Sequence, residues 1–151
     1  MKLIRPAVCS IVVAVTVAAP AFAALGGDAT SVQADLVRMK GALRTTSSAA
    51  FTVHEITTSS GTVVREYLSP GDKVFAVSWR GPVIPDLRQM LGTYYGQYEQ
   101  AASTPHVGSH RHFAIQQPGL VVQSSGRMRA FSGRAWAPGL LPQNFSANDI
   151  N

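Results

Sequence analysis

The stretch from Lys73 to Gly92, KVFAVSWRGPVIPDLRQMLG, constrains the fold more than any other part of the chain. Phe75, Val77 and Trp79 alternate with Val74, Ala76, Ser78 and Arg80, which is the period of a β-strand. Gly81 and Pro82 stop the run, because proline has no N–H to give a ladder and glycine permits a corner. Pro85 then suits the first position of a helix, Asp86 complements its dipole, and Leu87, Met90, Leu91, Tyr94 and Tyr98 share one helical face. A strand that turns into such a helix must lay it back across its own sheet, so Trp79 is expected to line the core beneath it. Gly92 and Gly96 fall on the far side of the helix, each costing about 1 kcal/mol relative to Ala, and read as tolerance near a fraying end or room for a close neighbour.

The rest of the chain repeats the theme. Thr30 and Gln33 form a capping box for a helix with Val32, Leu36, Met39 and Leu43 on its core stripe, weakened and ended by Gly41 and the Thr-Ser run. Phe51 to Ile56 and Thr62 to Leu68 alternate as strands, joined by a Ser59-Ser60-Gly61 turn, and Ser69-Pro70-Gly71-Asp72 fits a type II turn before Val74. After a loop from Ser103 to Ser109, Phe113 and Ile115 resume the alternation, followed by a Pro118-Gly119 turn, a strand from Leu120 to Gln123, a Ser124-Ser125-Gly126 turn and a long strand from Arg127. Gly133 inside that strand marks a bulge, and the tail from about Gln143 reads as a loosely ordered loop or short helix. GTVVREYLSPGDKVFAVS from Gly61 is echoed by GLVVQSSGRMRAFS from Gly119, a pseudo-repeat of hairpins. The expected architecture is α+β: helix, three antiparallel strands, helix, three antiparallel strands, with the sheet covered by helices on one face.

The opening residues bound where such a domain lives. Lys2 and Arg5 precede an apolar run from Ala7 to Ala19, then Pro20 and Ala21-Phe22-Ala23. That run is shorter than the roughly 20 residues a bilayer crossing needs, and small residues at positions -3 and -1 suit signal peptidase. We therefore read residues 1–23 as a signal peptide and 24–151 as a single α+β domain, periplasmic or secreted, with no transmembrane segment after cleavage. The one cysteine, Cys9, lies in the leader, so the mature domain relies on its core rather than on disulfides. Charged residues make up 14% of the chain and are unevenly spread. From Ala24 to Ala102 seven basic residues meet seven acidic ones, whereas from Ser103 onward Arg111, Arg127, Arg129 and Arg134 face only Asp149.

Chemistry-bearing clusters are few. His106, His110 and His112 have ligand-like spacing, and zinc accepts three histidines and a water, but Arg111 and the basic end around them oppose a cation. No serine sits in a G-x-S-x-G elbow, and His54 beside Glu55 points to the opposite face of a strand, so neither makes a base with its orienter. Glu55 and Glu66 can meet across a hairpin as a solvated surface pair. No phosphate-binding loop, dinucleotide fingerprint or CxxC occurs, and no cofactor is implied. What remains is Arg127 and Arg129, alternating on one strand face about 7 Å apart, with Arg134 and Arg111: an anion-binding set.

The segments ALGGDATSVQADLVRMKG, FTVHEI, GTVVREYLSPGDKVFAVSWRGPVIPDLRQMLG and LVVQSSGRMRAFSGRAWAPGLLPQ resemble an exported proteobacterial family, domain of unknown function (DUF) 2844. The resemblance spans nearly all of the chain after the leader, implies export and a single domain, and supplies no catalytic or ligand residue to transfer. The expectation is a non-catalytic binding or interaction module of the bacterial envelope, for an anionic envelope polymer or an envelope protein and not for nucleic acid. The competing expectation is a small metal-dependent or hydrolytic enzyme using the His106/His110/His112 loop.

Overall fold

Seven strands form one antiparallel sheet in a computed structural model that describes residues 25–103 and 112–151. They are β1 (Ala42–Ser47), β2 (Thr52–Thr57), β3 (Val63–Leu68), β4 (Val74–Gly81), β5 (His112–Gln117), β6 (Leu120–Arg127) and β7 (Ala130–Trp136), ordered β1-β2-β3-β4-β7-β6-β5. The leader 1–23 lies outside the described residues. The echo between the two halves has a structural meaning: the β3–β4 and β6–β7 hairpins are the repeated pair, and β4 and β7 join them at the centre of the sheet.

The extra strand, β1, corrects the expected layout of three strands, helix, three strands. Helix α1 (Ala29–Met39) ends earlier than its stripe suggests, because Lys40 adopts a left-handed conformation at φ 47° and its N–H closes on the Leu36 and Val37 carbonyls. Gly41 then runs against β2, where a Cβ would meet the Ile56 side chain at 2.6 Å and the Thr57 carbonyl oxygen at 2.7 Å. Leu43 is therefore a strand residue and leaves the helix stripe. All six residues of β1 are exposed, so the strand carries no alternation to read. The start of α1 also differs: Asp28, rather than Thr30, is the cap, its carboxylate accepting from the Thr30 and Ser31 N–H groups.

Three turns depart from expectation for local reasons. In the β3–β4 turn the positive φ of 57° falls on Asp72 and not on Gly71, which makes a tight turn followed by a left-handed residue instead of a type II turn. Ser124, Ser125 and Gly126 do not turn but continue β6, opposite Gly133, Ser132 and Phe131 of β7. The hairpin closes instead at Met128-Arg129, with Arg129 at φ 59°. Gly133 sits in unbroken register opposite Trp79 and makes room for it, since a Cβ there would meet the indole at 2.2 Å. The bulge in the sheet lies at the β3–β4 pair, between Tyr67 and Leu68.

The corner from strand to helix stands as read, with a break. Asp86 rather than Pro85 opens α2 (Leu87–Leu91), accepting from the Arg88 and Gln89 N–H groups. Gly92 takes φ 49° and ψ -120°, open only to glycine, and the chain passes through a 3-10 turn (Gly92–Tyr94) into α3 (Tyr95–Ala102). Among the described residues nothing lies within 4 Å of the position of a Cβ at Gly96. Met90, Leu91, Trp79, Val64, Val77 and Val122 are buried in the main core between these helices, α1 and the sheet. The other sheet face is covered too: Phe145 packs edge-on against Phe75 (4.7 Å) and Phe51 (5.1 Å), and a 3-10 turn at Ala147–Asp149 lowers Ile150 onto the same cluster.

Candidate anion-binding site

Period-2 alternation and the observed register decide which side chains meet on the face opposite the helices. Arg80 on β4 lies across from Ser132 on β7, Ser132 across from Ser125 on β6, and Ser125 across from His112 on β5. One register step inward, Ser78, Arg134, Gln123 and Ala114 form the next row. Apart from the buried Ser78, these rows line a shallow groove of about 430 Å³, bounded on one side by Ile150 and Asn151. The Ser125 and Ser132 hydroxyls are 3.1 Å apart. Two smaller hollows near the β6–β7 tip share lining residues with the groove, one beside Arg127 and His112, the other beside Arg80, Pro82 and Arg129. Among the described residues no Asp or Glu lines any of the three.

The structure separates the arginines that the sequence groups together. Arg127 ends β6 and Arg129 is in the turn, so they do not alternate on a strand; both are exposed and border the outer hollows. Arg134 lies deeper and is engaged. Its Nε donates to the Gln123 side-chain oxygen at 2.9 Å, its Nη1 donates to the Ala147 carbonyl at 2.9 Å, and the guanidinium lies over the Trp136 ring. Arg134 thus fixes the C-terminal segment against the sheet and offers only its remaining N–H groups to a ligand. Arg111 lies outside the described residues, as do His106 and His110. His112 is exposed on the edge strand and faces the groove. Among the described residues no group of three metal-ligating side chains comes together. Arg80 is the cation that sequence reasoning missed, although its place in the alternation, opposite in facing to the buried Trp79, was the available signal.

A second cluster, on the helix face, is chemically distinctive and closed. Glu66 is not a surface partner of Glu55. Glu55 pairs with Arg65 at 2.7 Å on the opposite face, while Glu66 is buried and hydrogen-bonded to the buried carboxyl of Asp35 on α1. The Gln89 amide donates to Asp35 at 2.6 Å, and His54 lies directly across from Glu66. Burial first, then the Asp35 charge and the bond to it, push the Glu66 carboxyl up to about 8, so at neutral pH it holds the proton it shares with Asp35. Burial lowers the His54 value, keeping the ring neutral. Two hydrogen-bonded carboxyls, one of them raised, and a nearby histidine have the makings of acid–base chemistry, yet Asp35 and Glu66 are 0% and 1% exposed. Among the described residues, none of the three hollows includes either.

Comparison with known proteins adds one finding. The family model described as "Protein of unknown function (DUF2844)" matches residues 21–150. No curated protein and no solved structure matches the chain.

Proposed function

Because the chain belongs to the DUF2844 family, whose description assigns no activity, we propose from the site alone that it is a non-catalytic binding module for an anionic polymer, acting in the periplasm or outside the cell. The observation that carries the reading is the groove on β4, β7, β6 and β5. Arg80, Arg127, Arg129, Arg134 and His112 border its three adjoining hollows, and no described Asp or Glu side chain lines them. Ser125 and Ser132 add hydroxyl donors to the floor, and guanidinium groups pair well with phosphate, sulfate or carboxylate. The groove is open and shallow, which suits repeated charges on an extended chain better than one enclosed small molecule. Export rests on the leader and places nucleic acid out of reach.

Salt-dependent retention tests this. The purified protein should bind a sulfated polysaccharide matrix at low salt, with an affinity that falls as salt rises in proportion to the charges neutralised. Arg127→Gln with Arg129→Gln should flatten that dependence, and Arg80→Gln should flatten it further. Lys40→Gln with Arg44→Gln removes equal charge away from the groove, and should change little. Equal losses in both double variants, or no retention of the wild type, would remove the support for the groove.

A further inference from the structure

One end of the sheet combines exposed apolar side chains with unopposed cations. The β6–β7 tip places Met128, 91% exposed, between Arg127 and Arg129. Beside it runs the β4–α2 loop, where Val83 and Ile84 are 50% and 44% exposed between Pro82 and Pro85. Pairing of Gly81 with Phe131 holds the two together, and Pro82 and Arg129 line one hollow. The loop is also anchored from below, with the Thr62 hydroxyl donating to the Val83 carbonyl at 2.8 Å. Of the exposed large apolar residues, the other two are on α1 and β1, so this end holds the only close group among the described residues. The acid nearest in sequence, Asp86, is turned to the backbone N–H groups of α2.

We propose that this end docks the protein on an anionic lipid surface, with Met128, Val83 and Ile84 entering the acyl boundary and Arg80, Arg127 and Arg129 meeting the headgroup phosphates. Three apolar side chains set among arginines offer far less than the roughly 800 Å² per partner that a stable protein interface uses. A bilayer needs only shallow entry of a few such groups, and arginines that flank them keep their charge at headgroup level. Each cation near an anionic leaflet strengthens partitioning about fivefold, so the three together contribute about a hundredfold. The reading goes beyond polymer binding in the groove, because it requires the apolar residues as well as the arginines.

Co-sedimentation with vesicles tests it. The purified protein should sediment with vesicles of phosphatidylcholine mixed with an equal part of phosphatidylglycerol, and not with phosphatidylcholine alone. Met128→Ser, and separately Val83→Ser with Ile84→Ser, should each weaken vesicle binding by about tenfold or more. All three positions are exposed, so melting temperature and retention on the sulfated matrix should not change. Equal binding of these variants and wild type to anionic vesicles would overturn docking and leave the groove reading intact. Equal sedimentation with neutral vesicles, no sedimentation with anionic ones, or a wild-type dimer that Met128→Ser dissolves would overturn it as well.

Discussion

Replacing Glu66 with Gln should change how the stability of the fold depends on pH. In the unfolded chain this carboxyl loses its proton near 4.5, whereas the folded protein retains it to about 8. Between those values the native state binds more protons, so stability is fully present below 4.5, falls as pH rises, and has lost this contribution above about 8. At about 1.4 kcal/mol per pH unit over that interval, the loss is on the order of 5 kcal/mol. That is a large share of the roughly 5 to 15 kcal/mol typical of a domain. With a urea slope of about 2 kcal/mol/M, the wild-type midpoint should drop by about 2 M between pH 4.5 and 8.5.

Gln has the same shape, and its amide can donate to Asp35 as the protonated carboxyl does, so Glu66→Gln should match wild type near pH 5 and exceed it above pH 8. His54 provides an internal check of sign. Its lowered value means the unfolded chain takes up a proton that the folded ring refuses, so its contribution grows as pH rises toward 6.5. In Glu66→Gln that opposite trend should be what remains. Asp28 is lowered as well, but from 3.8, below this window. A wild-type midpoint that stays flat or rises from pH 5 to 8.5 would mean Glu66 is ionised in the fold. A slope that survives in Glu66→Gln would place its origin elsewhere.

Two further outcomes concern packing and processing. Gly133→Ala puts a methyl into the Trp79 ring, and the rigid indole has little room to move, so it should cost about 1 to 3 kcal/mol and red-shift tryptophan emission; unchanged melting would mean the strands yield freely. The Ala21-Phe22-Ala23 site predicts a mature chain beginning Ala24-Leu25-Gly26-Gly27, and intact mass of protein from the envelope fraction decides it, a retained Met1 refuting export by cleavage.

Strands with a dry face were legible, and the one with two wet faces was not. β4 and the helices after it follow from alternation and from the Gly81-Pro82 corner, and Trp79 is buried as that pattern requires. β1 has no buried face, so nothing in its residue types distinguishes it from a polar loop; pairing with β2 alone makes it a strand. The tip was misplaced because Ser124-Ser125-Gly126 has turn composition, whereas the real turn puts arginine at φ 59°, a conformation that composition disfavours. Glu66 was missed by favouring residue type over period. Val64, Glu66 and Leu68 share one face of β3, and its apolar neighbours place the carboxyl inside. Asp35 likewise lies three residues after Val32, on the buried stripe of α1.

That buried pair alters the charge with which the groove presents itself. Residues 24–102 are formally neutral, seven basic against seven acidic, but Glu66 keeps its proton at neutral pH, so the region carries 7 − 6 = +1. Its partner, Asp35, is enclosed between α1, α2 and the sheet, on the opposite face from Arg80 and Arg134. Glu55 is spent on Arg65 at the far side of β4. Glu66, Asp35 and Glu55 are thus protonated, enclosed or paired, leaving Asp28, Asp72, Asp86 and Glu99 as the exposed acids of that region, while Arg80, Arg127 and Arg129 stay exposed at one end. A polyanion or an anionic membrane approaching that end meets a field more positive than the residue count implies, and the protein gains this without adding a single basic residue.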